Sequence, residues 1–105
     1  MDKNIPLSEL IRIGSRLTRQ CRGMSEKDGK ATCALGAALT AKRGEFISDK
    51  TQTGDSFIEL GIRGIIRKCP IDGYEDEVGL IIFRLNDIFT WTREQIADWL
   101  ESIGL

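Results

Sequence analysis

The segment Ala31–Arg43, A-T-C-A-L-G-A-A-L-T-A-K-R, is built almost entirely from small side chains. A water-facing helix has no use for so many, whereas a helix closely surrounded by others needs them so that neighbouring backbones can approach. Thr32 is placed to cap its start. Lys42 and Arg43 suit the negative end of the helix, and Gly44 suits a left-handed position just beyond it. The segment therefore predicts the central helix of a small helical domain.

Four further segments supply the helices around it. Leu7, Leu10, Ile11, Gly14 and Leu17 recur at helical spacing after Pro6 and predict an amphipathic helix from about Leu7 to Cys21. Asp55 or Ser56 can cap a third helix reaching Lys68, with Phe57, Ile58, Gly61, Ile62, Ile65 and Ile66 facing inward, although the Ile-rich composition also suits a strand. Its Gly61 and Gly64 imply close approach to another element. Val78, Ile81, Ile82 and Leu85 share a helical face in a fourth helix running to about Asp87, with a buried strand as the alternative. The last has the clearest local signals: Thr92 as N-cap, Gln95 three residues on to complete a capping box, and Trp91 placed to staple onto Ile96. Phe46 and Ile47 fold back over the core, and Gly23–Lys30 reads as an exposed loop. The expected fold is all-α: a compact single-domain bundle of four to five short helices, spanning residues 1–105.

Composition removes several function classes. The chain is 41% hydrophobic and 30% charged, the balance of a globular protein. No apolar run approaches the roughly 20 residues that span a bilayer, and the first residues lack a signal peptide's apolar region, so the expected location is the cytoplasm with no membrane partner. There is no histidine, and Cys21, Cys33 and Cys69 form no C-x-x-C pair, so neither a metal site nor a cofactor is expected. Cys33 and Cys69 read as buried small hydrophobes; Cys21, beside Arg19 and Arg22, reads as partly exposed. Nucleophile-and-base catalysis lacks its usual base, and no phosphate-binding glycine motif is present. Asp72, Glu75, Asp76, Glu77 and Asp87 leave a carboxylate route open, but acids ahead of a helix have an ordinary structural reason to be there. No catalytic residue is assigned and no enzyme is expected.

Charge is unevenly divided. Residues 1–43 carry a net +5 and residues 44–105 a net −6. The simplest explanation is internal, two halves of one domain attracting each other; the functional one is a basic face for an acidic partner. Arg12, Arg16 and Arg19 are spaced to form one stripe on the first helix, and Arg22 extends it. These four arginines are the candidate contact residues. They fit a non-catalytic domain that binds another macromolecule, most simply a protein. The alternative is a nucleic-acid binder using the Arg12/Arg16/Arg19 stripe.

Two resemblances bear on this. Thr92–Leu100, T-R-E-Q-I-A-D-W-L, resembles the first helix of helix-turn-helix modules. It departs from them at Glu101, where those modules place glycine, and at Leu105, where no recognition helix follows. More widely, C-A-L-G-A-A at Cys33–Ala38 followed by L-N-D at Leu85–Asp87 and a short threonine-led helix is similar to a family of small uncharacterised helical domains of bacteria and phages. That resemblance implies an all-helical fold and assigns no activity or site residues. The family often has tryptophan where this chain has Leu85.

Overall fold

The small side chains of residues 34–41 draw two helices into direct backbone contact. In the computed structural model, which describes residues 5–23, 25, 30–47 and 53–105, α1 (Leu7–Leu17) lies so close to the later helix that a Cβ at Gly14 would stand 2.8 Å from Ala37 Cα. Two very short strands follow α1, β1 (Arg19–Gln20) and β2 (Ala31–Thr32), which pair in parallel. Then come α2 (Ala34–Arg43), α3 (Thr53–Glu59), an antiparallel pair β3 (Ile66–Lys68) and β4 (Glu75–Glu77), α4 (Val78–Asp87) and α5 (Arg93–Ser102). The molecule is mostly helical, with five helices and two short two-stranded sheets among the described residues.

α2 is buried from Ala34 to Thr40 and packs against α1, α3 and α4. Around it, Ile11, Leu35, Val78, Ile81, Ile82, Leu85, Ile96 and Leu100 are fully withdrawn from solvent. α5 closes the core over α1 and α4, and its start matches the sequence reading: the Thr92 hydroxyl accepts from Gln95 N–H while the Gln95 side chain accepts from Thr92 N–H. Gly44 takes the left-handed φ of +76° expected beyond α2. The helix reading of Val78–Asp87 holds, and Gly79 there lets the Phe57 ring lie against the helix backbone.

Four expectations need correction. The central helix begins at Ala34, not Ala31: Ala31 and Thr32 are strand, and the N-cap is Cys33, whose sulfur accepts from Gly36 N–H at 3.4 Å. The first helix ends at Leu17, because the chain turns extended at Thr18 to form β1, and Leu17 is exposed. The third helix stops at Glu59. Gly61 and Gly64 have φ of +72° and +81° with open space where a Cβ would be, so they serve a turn rather than close packing. Residues 66–68 consequently become β3 and Ile58 and Ile66 are exposed. The expected all-α architecture is accordingly interrupted by the two small sheets. Of the pair expected to cover the core, Ile47 is buried and Phe46 half exposed. Most of the loop expected over Gly23–Lys30, and residues 48–52 of the next connection, lie outside the described residues.

Candidate functional site

The arginine stripe is not one surface. Arg12 points at α5, where Nε donates to Glu94 at 2.9 Å, Nη2 to Asp98 at 2.7 Å and Nη1 to Glu101 at 2.7 Å. Three carboxylates one helical turn apart converge on one guanidinium, and they hold its pKa above the ordinary arginine value. Arg16 is exposed in the last turn of α1. Arg19 lies past the helix end in β1, so helical spacing does not place it beside Arg16; Arg22 is exposed further along the extended segment. A second cation of the basic half is also engaged internally. Arg43 makes a two-pronged pair with Glu59 at 2.9 and 2.7 Å, which lowers the Glu59 pKa, and Lys42 donates to the Glu59 carbonyl.

The best-organised polar cluster lies where α1, β1 and β2 meet the end of α4 and the start of α5. Arg93 is buried there and donates to the Thr18 carbonyl at 2.7 Å, the Thr18 hydroxyl at 2.8 Å and, at longer range, to the Ser15 and Arg19 carbonyls and the Thr32 hydroxyl. Its cation thus satisfies the carbonyls left open at the negative end of α1. Burial lowers its pKa, the main cause being desolvation. Beside it, Asn86 Oδ1 accepts from Gln20 Nε2 at 2.9 Å and Asn86 Nδ2 donates to the Cys21 carbonyl at 2.9 Å. The Asp87 carboxylate accepts from Gly23 N–H at 3.2 Å. Gln20 also donates to the Trp91 carbonyl at 2.8 Å. The Asn86 and Asp87 side chains thus reach back from the end of α4 and fasten residues 20–23.

The carboxylates weighed for chemistry do not converge. Asp72 accepts from Tyr74 N–H and from Arg84, which keep its pKa below the usual carboxylate range. Asp76 accepts from Glu77 N–H, Glu77 from Gly64 N–H, and Asp87 stands apart with Gly23. Among the described residues no group of three or more Cys, Asp or Glu is placed to hold a metal ion. Burial pushes the Cys33 thiol up to about 12, so at neutral pH it is protonated and reacts only through a small thiolate fraction that grows with pH.

One surface was not foreseen. The Arg84 guanidinium lies over the Tyr74 ring at 5.9 Å and the Phe89 ring at 6.0 Å, steadied by a 2.7 Å pair with Asp72. Tyr74 is 65% exposed and Ile88, one turn from Arg84 at the end of α4, is 67% exposed. A rigid arginine set between aromatic rings, next to a bare isoleucine, has the composition of protein-binding hot spots. The sequence signal was faint: Ile88 falls outside the inward face defined by Val78, Ile81, Ile82 and Leu85, but nothing local brings Tyr74 to it.

A comparison with protein-family models finds no match, and comparisons with curated proteins and with solved structures find none either.

Proposed function

We propose that this chain is a non-catalytic module that binds another protein, and that the contact is centred on Tyr74, Arg84, Ile88 and Phe89. The observation that carries the reading is the exposed arginine–aromatic surface. Apolar side chains left in water at this density cost free energy in the isolated molecule, and burying them against a partner recovers it. Asp72 already neutralises Arg84 at 2.7 Å, so the chemistry of the patch favours an apolar protein surface over a phosphate backbone. Arg12 is engaged by three carboxylates of α5 and stands outside this contact, and Arg16, Arg19 and Arg22 form a secondary basic region. Membership of the family of small helical domains, and a bundle organised about α2, belong to the same proposal. The first rests on the Cys33–Ala38 and Leu85–Asp87 motifs, and the second draws support from the burial of α2 from Ala34 to Thr40.

The test is affinity capture with the whole chain, comparing the wild type with Tyr74→Ala/Ile88→Ser and with Arg16→Glu/Arg22→Glu. A partner retained by the wild type and the arginine pair but lost by the Tyr74/Ile88 pair is the expected result. A partner lost only with the arginines moves the contact to the basic region. Fluorescence anisotropy with labelled duplex DNA at low salt tests the nucleic-acid reading, since phosphate-driven affinity collapses as salt rises.

A further inference from the structure

β1 and β2 each lead directly into a cysteine. The parallel ladder pairs Arg19 with Ala31 and Gln20 with Thr32, and the bond from Cys21 N–H to the Thr32 carbonyl at 3.0 Å closes that last rung. Cys21 and Cys33 are the next residues on the two chains, each one position past the last paired rung. Cys33 is still extended (φ −75°, ψ −176°), which carries the pleat to it unbroken. Paired strands lie roughly 4.8 Å apart, inside the Cα separation of about 4.4–6.8 Å that a disulfide spans. The two sulfurs are close enough for charge on Cys21 to act on Cys33, and both act on the Arg93 guanidinium. Their access to solvent differs: Cys33 is fully buried and Cys21 half buried. Cys69 sits apart at the end of β3, its N–H on the Tyr74 carbonyl.

We propose that Cys21 and Cys33 are a reversible redox pair, with Cys21 the thiol that an oxidant reaches and Cys33 the thiol that resolves it. With a peroxide as oxidant, the Cys21 thiolate attacks one peroxide oxygen and breaks the O–O bond, giving a sulfenic acid and water. The Cys33 sulfur then attacks the Cys21 sulfur and expels the hydroxyl as a second water, so two thiols and one hydrogen peroxide become one disulfide and two waters. A dithiol reductant reverses the reaction by thiol–disulfide exchange. Little backbone movement is needed, since Asn86 already holds the Cys21 carbonyl and Asp87 the Gly23 N–H. The cross-link ties the start of α2 to β1 and closes residues 22–32 into a ring. In a reducing compartment such a bond is transient and signals oxidant rather than supporting the fold.

The test is hydrogen peroxide treatment of the native full chain, followed by intact-mass measurement and non-reducing peptide mapping. The expected result is a loss of about 2 Da, the two thiol hydrogens, mapped to a Cys21–Cys33 link and reversed by dithiothreitol. Because burial keeps the Cys33 thiol protonated, the second step quickens with pH, about tenfold per unit between pH 7 and 9, and dimedone added at pH 7 traps Cys21 as its sulfenic acid. Cys33→Ser keeps a good N-cap and leaves the Cys21 sulfenic acid without its resolving thiol; Cys69→Ser leaves the link intact. A link through Cys69, an unlinked wild type after complete oxidation of Cys21, or a link that forms only in urea overturns the proposal.

Discussion

Arg93 is a buried cation whose hydrogen bonds all go to oxygens without formal charge, three carbonyls and two hydroxyls. It replaces the water that would otherwise solvate the last carbonyls of α1, so its removal leaves those acceptors buried and unpaired. Arg93→Met is expected to lower stability by about 1–3 kcal/mol in urea unfolding; a change within a few tenths would show that water substitutes freely. Gly14 is the complementary case, a position defined by absence. A methyl group there meets the Ala37 backbone, which no rotamer change relieves, and Gly14→Ala is expected to cost about 1–3 kcal/mol despite better helix propensity. The same denaturation series checks it, and a neutral result would mean the two helices can separate without loss.

Pairs of elements are joined by charge as well as by packing. Arg43 at the end of α2 holds Glu59 at the end of α3, and the pairing lowers the Glu59 pKa. A carboxyl whose folded pKa lies below its unfolded value of about 4.3 contributes stability that is complete above that value and vanishes as pH falls through the folded one. Glu59→Gln is therefore expected to flatten the acid limb of the stability profile between about pH 5 and 3 by a few tenths to 1 kcal/mol, the range for a pair of this exposure. Thermal unfolding across that range checks it; an unchanged acid limb would assign the pair no role.

At this scale the sequence was legible where local rules decide. The Thr92–Gln95 box and the Gly44 terminus are short-range chemistry, and both are where the residues put them. It failed where partners distant in sequence decide. Ala31 and Thr32 read as the start of the central helix, with Thr32 its cap, but pairing with Arg19 and Gln20 holds both extended and moves the cap to Cys33. Ile65 and Ile66 read as a helical face until two left-handed glycines break the helix first. For the same reason the candidate contact surface stayed hidden, since Tyr74 and Phe89 meet only through Arg84.

Across the whole molecule, the opposite charges of the two halves find each other. Arg12 meets Glu94, Asp98 and Glu101, and Arg43 meets Glu59, so among the described residues four ion pairs join the basic half to the acidic one. This is the internal explanation of the +5/−6 division, and it has a salt signature. Arg12→Gln is expected to lower the melting temperature at low ionic strength, and the deficit is expected to shrink at 0.5 M salt, where screening acts within a few ångströms. An equal deficit at both salt levels would mean that Arg12 acts through packing alone. Tyr74→Ala and Ile88→Ser, by contrast, should leave the melting temperature nearly unchanged, since neither side chain supports the core.

The Asn86 amide works like a base edge, one atom accepting and its neighbour donating, so it can hold residues 20–21 in only one orientation. Hydrolysis of that amide to an acid, the slow ageing reaction of asparagine, would swap the donor for a negative oxygen facing both the Cys21 carbonyl and the Asp87 carboxylate. Spontaneous damage at one nitrogen would then loosen residues 20–23 from the end of α4, and faster amide hydrogen exchange at Cys21 and Gly23 in Asn86→Asp would record it.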